Sequence, residues 1–159
     1  MDSLVHNWTG AIHLASSIIA LITGTLILAM RKGTAIHKKV GYLYVTAMTI
    51  VVATAFLIYR LFNGFGIFHI AAIVSGLTLA GGMIPVVLKK PDSWAPLHFS
   101  FMYWSVMGLY AAFVAEVLVR LPQSPFFGMV GVGTSIVMLL GGSWFYYRKE
   151  YWHDQFANT

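Results

Sequence analysis

The sequence predicts an all-α integral membrane protein, a bundle of five transmembrane helices in a single domain over residues 1–159. The chain is 58% hydrophobic and 9% charged, whereas soluble domains carry about 25% charged residues. Its mean hydropathy is +0.76. Five uncharged runs follow one another, at 3–30, 40–59, 61–88, 93–115 and 121–147. Each reaches the roughly 20 residues that a helix needs to cross a bilayer core.

The turns between these runs set the predicted helix bounds. The helices are expected at about 7–30, 36–62, 67–88, 97–121 and 126–147. A turn at 31–34 separates the first two, and the Asn and Gly residues of 63–66 favour a tight turn before the third. Pro85 predicts a kink near the end of helix three. Prolines also bound the loops on either side of helix four, and the tail after 147 mixes aromatic and charged residues, which is typical of a headgroup anchor.

The basic residues predict the orientation of the bundle. Eight of them fall on one side of a five-helix topology: Arg31, Lys32, Lys38, Lys39, Lys89, Lys90, Arg148 and Lys149. Only Arg60 and Arg120 fall on the other. The positive-inside rule then predicts an outside N-terminus and a cytoplasmic C-terminus, as in a multi-pass protein of the bacterial inner membrane. The net charge of +5 indicates membrane lipid as a partner, anionic at the cytoplasmic face, and no nucleic acid.

The absence of cysteine limits the possible chemistry. With no cysteine in the chain, a disulfide, a thiolate metal site and covalent haem attachment through C-x-x-C-H are all excluded. The first span follows Met1-Asp2 without a basic region, so a cleaved signal peptide is not expected.

Histidine is the residue type that points to a function. Four of the six histidines, His13, His37, His69 and His98, each lie near the start of their own predicted helix. Ionisable side chains in membrane spans are costly, and they mark candidate functional sites. In an antiparallel bundle His13 and His69 share the outer half, and His37 and His98 share the inner half. Small residues one turn from three of them leave room for close helix packing or for a flat cofactor.

This pattern favours two b-type haems, with His13/His69 and His37/His98 as pairs of iron ligands. Neutral imidazole nitrogens would bind the iron, and burial and nearby charge would set its reduction potential. The competing interpretation is structural, because amphipathic side chains are ordinary at a membrane interface, and then no cofactor is bound. A zinc or copper site is less favoured, since two histidines without a carboxylate or thiolate make a poor closed cage.

Glu116 is a second candidate. It lies five helical turns beyond His98, and thus on the same face of helix four. A carboxylate there could accept a proton or contact a substrate, with Arg60 or Arg120 holding an anionic group. The alternative is an ordinary i, i+4 ion pair between Glu116 and Arg120.

Several motifs resemble a known family. The element His-x-x-x-Gly-x-x-Tyr begins at His37, and the match continues from His98 through Glu116 to Arg120. In these segments the chain resembles an uncharacterised family of predicted bacterial membrane proteins, domain of unknown function 2306. The resemblance implies the class of protein and marks His37, Gly41, His98, Glu116 and Arg120 as motif positions, but it implies no activity.

A second resemblance concerns layout alone. Transmembrane di-haem cytochromes of the ascorbate-linked b type also bear one histidine on each of four successive helices, paired one-with-three and two-with-four. The chain is similar in that pattern, which implies transmembrane electron transfer.

The leading hypothesis is therefore a small di-haem electron carrier that exchanges electrons with quinone. The alternative is a non-catalytic accessory or assembly subunit of a larger membrane complex. The protein partners expected are such a complex or further copies of the chain in a homo-oligomer. Proton-coupled transport through the histidines and Glu116 ranks lowest, because transporters often use paired broken helices and only helix three hints at a break. The sequence names no reaction, so it leaves open whether the protein is an enzyme.

Overall fold

A computed structural model describes residues 8–58, 64–90, 94–120 and 126–157 of the protein. All the regular secondary structure in these residues is helical. For residues 126 and 153–157 the backbone alone is described. Five helices follow in order: α1 Trp8–Ala29, α2 Ala35–Ala55, α3 Ile67–Leu88, α4 Trp94–Leu118 and α5 Phe126–Ala157. The prediction of an all-α chain is confirmed. Helices are what lipid requires, because they satisfy backbone hydrogen bonds within one segment.

Four helices are long and apolar enough to cross a membrane. They are α1, α3, α4 and the part Phe127–Trp152 of α5. The remaining described helix, α2, is outside this set. It carries Lys38 and Lys39 within its first turns, and these lower its mean hydropathy.

The chain divides into two compact units, Met1–Leu79 and Ala80–Thr159, and α3 contributes to both. In the first unit α1 and α2 form an antiparallel hairpin, since His13 near the start of α1 meets Thr54 near the end of α2. Ser16, Ala20 and Gly24 recur every fourth residue along α1 and are buried. Small residues at this spacing let two backbones approach closely, which drives helix association where lipid is as apolar as the side chains.

The turn between α1 and α2 is held by side-chain hydrogen bonds. Gly33 has a φ of +78°, a left-handed conformation that glycine adopts without strain. Thr34 is the N-cap of α2, and its hydroxyl accepts a hydrogen bond from the His37 N–H at 3.1 Å. Lys32 Nζ donates to the carbonyls of Ile27 (2.6 Å) and Leu28 (2.8 Å). The last carbonyls of a helix have no N–H donor from a following turn. Lys32 supplies donors to two of them and so caps the C-terminal end of α1.

In the second unit α4 packs antiparallel against α5 through aromatic rings. Tyr103 is buried, and its hydroxyl donates to the Gly141 carbonyl at 2.7 Å. The Tyr103 and Phe145 ring centroids lie 4.9 Å apart, and those of Phe99 and Trp152 lie 4.7 Å apart. Offset and tilted arrangements at such distances are the favourable ones for aromatic pairs.

Helix bounds differ from the predicted ones by three residues or more at four places, one of which is the end of α4 at Leu118 and not at 121. The predicted helix 36–62 ends at Ala55, where Leu57 N–H bonds to the Thr54 carbonyl in a tightened last turn. The predicted start at 97 was wrong because α4 begins at Trp94. Pro96 then lies in the first turn, where its missing N–H costs nothing. The predicted end at 147 was also wrong, because residues 148–157 contain neither Pro nor Gly and α5 continues to Ala157.

The free energy of unfolding is expected to rise with pH because of Lys32. Burial lowers the pKa of its amine from 10.5 to about 8. Between pH 8 and pH 10.5 the unfolded chain therefore holds a proton that the folded protein has released, and stability increases with pH across this window. Below pH 8 both states are protonated, and above pH 10.5 neither is, so the increase is confined to the window.

The measurement is denaturant unfolding in detergent at a series of pH values, for the natural chain and for Lys32→Met. The difference between the two free energies isolates the amine. A difference that stays flat or falls between pH 8 and pH 10.5 contradicts the assignment.

Candidate functional site

His13 ties α1 to α2. Its Nδ1 lies 2.8 Å from the Thr54 hydroxyl oxygen. Thr54 donates its own proton to the Ile50 carbonyl at 2.6 Å, so the hydroxyl accepts from His13. The Nδ1 of His13 therefore carries the proton, and the lone pair of the neutral ring lies on Nε2.

His69 has the opposite tautomer. It lies in the first turn of α3 with 3% of its surface exposed, and its Nδ1 accepts a hydrogen bond from the Gly66 N–H at 3.1 Å. A side chain three residues into a helix that accepts from the N-cap N–H is a capping arrangement. Since Nδ1 is the acceptor, the proton of the neutral ring is on Nε2. The imidazole also stacks on Phe65, with ring centroids 4.9 Å apart.

His13 and His69 lie at the same end of the first unit. His13 bonds to Thr54, and the ring centroid of His69 is 6.1 Å from that of Phe56. Thr54 and Phe56 belong to the last turn of α2 and to its C-cap. His37 is in the first turn of α2, at the opposite end of this hairpin, and its Nδ1 atom is buried. Within the first unit, His13 and His69 therefore lie at one end and His37 lies at the other.

His98 belongs to the second unit, where it bonds α4 to α3. Its Nδ1 lies 2.8 Å from the Gly82 carbonyl oxygen. A carbonyl only accepts, so Nδ1 carries the proton and Nε2 the lone pair. A Cβ added at Gly82 would lie 2.7 Å from Met102 Sδ, so glycine at this position leaves room for the Met102 side chain of α4. Pro85 lacks an N–H, so the carbonyl that loses its helical donor is that of Gly81, the residue next to Gly82. The Gly82 carbonyl that accepts from His98 therefore lies beside this break in the hydrogen bonding of α3.

The predicted carboxylate candidate lies outside this arrangement. Glu116 forms an ion pair with Arg120, and their side chains are 55% and 46% exposed. This is the ordinary i, i+4 pair, and Glu116 is turned away from the interior of the second unit. Arg60 and His6 lie outside the described residues, as does the side chain of His153.

Sequence reasoning found the histidines but missed the groups that hold them. Thr54 and Gly82 are the hydrogen-bond partners of His13 and His98, and neither stands out in the sequence. Gly81-Gly82 with Pro85 gave a signal for a local break in α3, although nothing in the sequence linked that break to His98. Within the described ranges, no group of three or more His, Cys, Asp or Glu residues could enclose a metal ion.

A helical membrane protein with imidazoles at helix ends is thus the class that fold and site define. The chain belongs to the family described as Predicted membrane protein (DUF2306), which matches residues 10–147. No curated protein and no solved structure matches the chain. The family description gives the class of protein and no reaction, and these comparisons lend no support to the similarity with di-haem cytochromes.

The histidine tautomers are open to direct measurement. We expect His13 and His98 to be protonated at Nδ1 and His69 at Nε2, because their hydrogen-bond partners accept in the first two cases and donate in the third. Nitrogen NMR of the membrane-embedded protein with isotope-labelled histidine distinguishes the two tautomers by chemical shift. Signals are assigned by their loss in His13→Ala, His69→Ala and His98→Ala, and a His69 ring protonated at Nδ1 would contradict the capping arrangement.

Proposed function

We propose that the protein is a b-type haem electron carrier of the membrane, in which His13 and His98 would each bind the iron of its own haem. The supporting observation is the way the two rings are held. Histidines that ligate metals almost always donate their other ring N–H to a protein acceptor, which fixes the ring and directs its lone pair at the metal. The Nδ1–H groups of His13 and His98 do this, to Thr54 and to Gly82.

His69 does not fit a haem ligand as it is bonded. Its Nδ1 accepts from Gly66, so Nε2 carries a proton where a ligand needs a lone pair. Ligation by Nε2 would require the cap on α3 to open. The pairing of His13 with His69, and of His37 with His98, is a prediction from helix order, and so is exchange of electrons with quinone. Haem would supply reversible one-electron chemistry, and the chain would supply fixed, partly buried ligands.

A second function, a non-catalytic accessory or assembly subunit, is favoured by a different observation. The bonds of His13, His69 and His98 each serve packing as well: one joins α1 to α2, one caps α3 and one joins α3 to α4. Interhelical bonds by polar side chains are a general means of holding helices together in lipid. In this case the protein binds no haem and acts within a larger complex.

A visible absorption spectrum separates the two proposals. The chain is produced in a haem-sufficient host and purified in mild detergent, and reduced and oxidised spectra are compared. The carrier predicts a Soret band, and His13→Ala or His98→Ala should each roughly halve the haem content, since each removes a ligand of one haem. Thr134→Ala is the matched control, because Thr134 bonds within α5 alone.

Colourless protein that also fails to take up added haem would eliminate the carrier. Co-purification of that colourless protein with a defined membrane complex would then support the accessory function.

We further propose that α2 also crosses the membrane, which gives five spans with the N-terminus outside and the C-terminus in the cytoplasm of a bacterial cell. The contact between His13 and Thr54 supports this, since α2 runs back along the full length of α1. Its 21 residues give a length of about 32 Å at 1.5 Å per residue. The two lysines would lie at the end of the span, where long side chains reach the interface.

Single-cysteine labelling tests this topology, and the cysteine-free chain serves as its own background. Lys39→Cys places the thiol in the first turns of α2, and Gly64→Cys places it after the end of the helix. With a membrane-impermeant maleimide applied to intact spheroplasts, we expect Gly64→Cys to react and Lys39→Cys to react after permeabilisation alone. Lys149→Cys should behave like Lys39→Cys. Equal labelling of positions 39 and 64 from one side would show that α2 does not cross.

A further inference from the structure

Two basic residues near the end of α5 are supported by aromatic rings. The Arg148 guanidinium carbon lies over the Trp144 ring at 5.2 Å from its centroid and over the Tyr151 ring at 4.9 Å. Lys149 Nζ lies 4.3 Å from the centroid of the Tyr146 ring. Trp144, Tyr146 and Tyr151 are exposed, so this is a surface feature and not part of the interior between α4 and α5.

The depth of Arg148 along α5 matches the level of lipid phosphates. Twenty-one residues separate it from Phe127, where the apolar span of α5 begins. At 1.5 Å per residue this is about 32 Å, slightly more than the ~30 Å of a hydrocarbon core. Exposed Trp and Tyr are typical of this level, where an apolar ring and a polar edge are both accommodated.

The chemistry of Arg148 suits a phosphate oxyanion. A guanidinium has five N–H donors in its plane and none perpendicular to it. Two rings against the guanidinium restrict its rotamers, and this reduces the rotamer freedom lost when its N–H donors bind an oxyanion. The acidic residue nearest to Arg148 in the sequence is Glu150. Within the described part of the chain, the ion pair is the one between Glu116 and Arg120. No described carboxylate therefore neutralises Arg148.

We propose that Arg148, held against Trp144 and Tyr151, binds the phosphate group of an anionic membrane lipid, with Lys149 as a second positive charge. The plane of the guanidinium permits a bidentate bond to two phosphate oxygens. The site is independent of any haem. It selects lipids with net negative headgroups because a zwitterionic headgroup brings its own cation to the same place.

Spin-labelled lipids provide the test. The natural chain and its variants are reconstituted in phosphatidylcholine, and the association of spin-labelled phosphatidylglycerol is measured relative to spin-labelled phosphatidylcholine. We expect Arg148→Gln to lower this preference by more than the roughly fivefold that a basic side chain near a membrane surface contributes through its charge alone. Arg31→Gln is the matched control, because it removes the same charge from an exposed loop residue, and it should change the preference less than Arg148→Gln does.

Further variants separate a built site from charge alone. Trp144→Leu with Tyr151→Leu keeps the charge but removes the rings, and we expect it to lower the preference as well. Arg148→Lys should restore part of the preference lost in Arg148→Gln. Equal effects of Arg31→Gln and Arg148→Gln, or no effect of removing the rings, would overturn the proposal. Loss of the preference on addition of inorganic phosphate, but not of chloride at the same ionic strength, would also overturn it, because the site would then bind a free anion and not a lipid.

Discussion

Polar groups that enter the apolar interior of this protein must find partners within the chain, because lipid offers none. That constraint explains the helical fold, and it also explains the contacts between helices. The Thr54 hydroxyl donates its proton within α2 and still accepts from His13, and the Gly82 carbonyl of α3 accepts from His98. Each interhelical bond thus joins a histidine of one helix to an oxygen atom of the neighbouring helix.

The same bonds decide what each histidine can do chemically. A donor at Nδ1 leaves the lone pair on Nε2 at His13 and His98, while an acceptor at Nδ1 puts the proton on Nε2 at His69. Three imidazoles that look equivalent in the sequence therefore differ in their capacity to bind a metal. At His13 and His98 the bond that joins two helices also sets the tautomer of the ring.

Much of the fold could be predicted from the sequence. The bounds of α3 at Ile67–Leu88 agree with the prediction, because turn residues on one side and lysines on the other define them. The early start of α4 could not be inferred, since Pro96 is compatible either with a loop or with a first helical turn. Likewise, the tail of α5 has neither a breaker nor an apolar pattern, so composition alone does not fix where the helix ends.

What the sequence by itself determined is the membrane class, the helices and the positions of the histidines, because hydropathy and charge act residue by residue. Only the tertiary structure decided which acceptor or donor faces each ring, that Glu116 pairs with Arg120 at an exposed surface, and that aromatic rings cover Arg148. These contacts join side chains to one another or to the backbone, some between residues distant in sequence and others within about one turn of a single helix. They depend on how helices pack and which rotamers they permit, and a pattern of residue types along the chain does not encode either one.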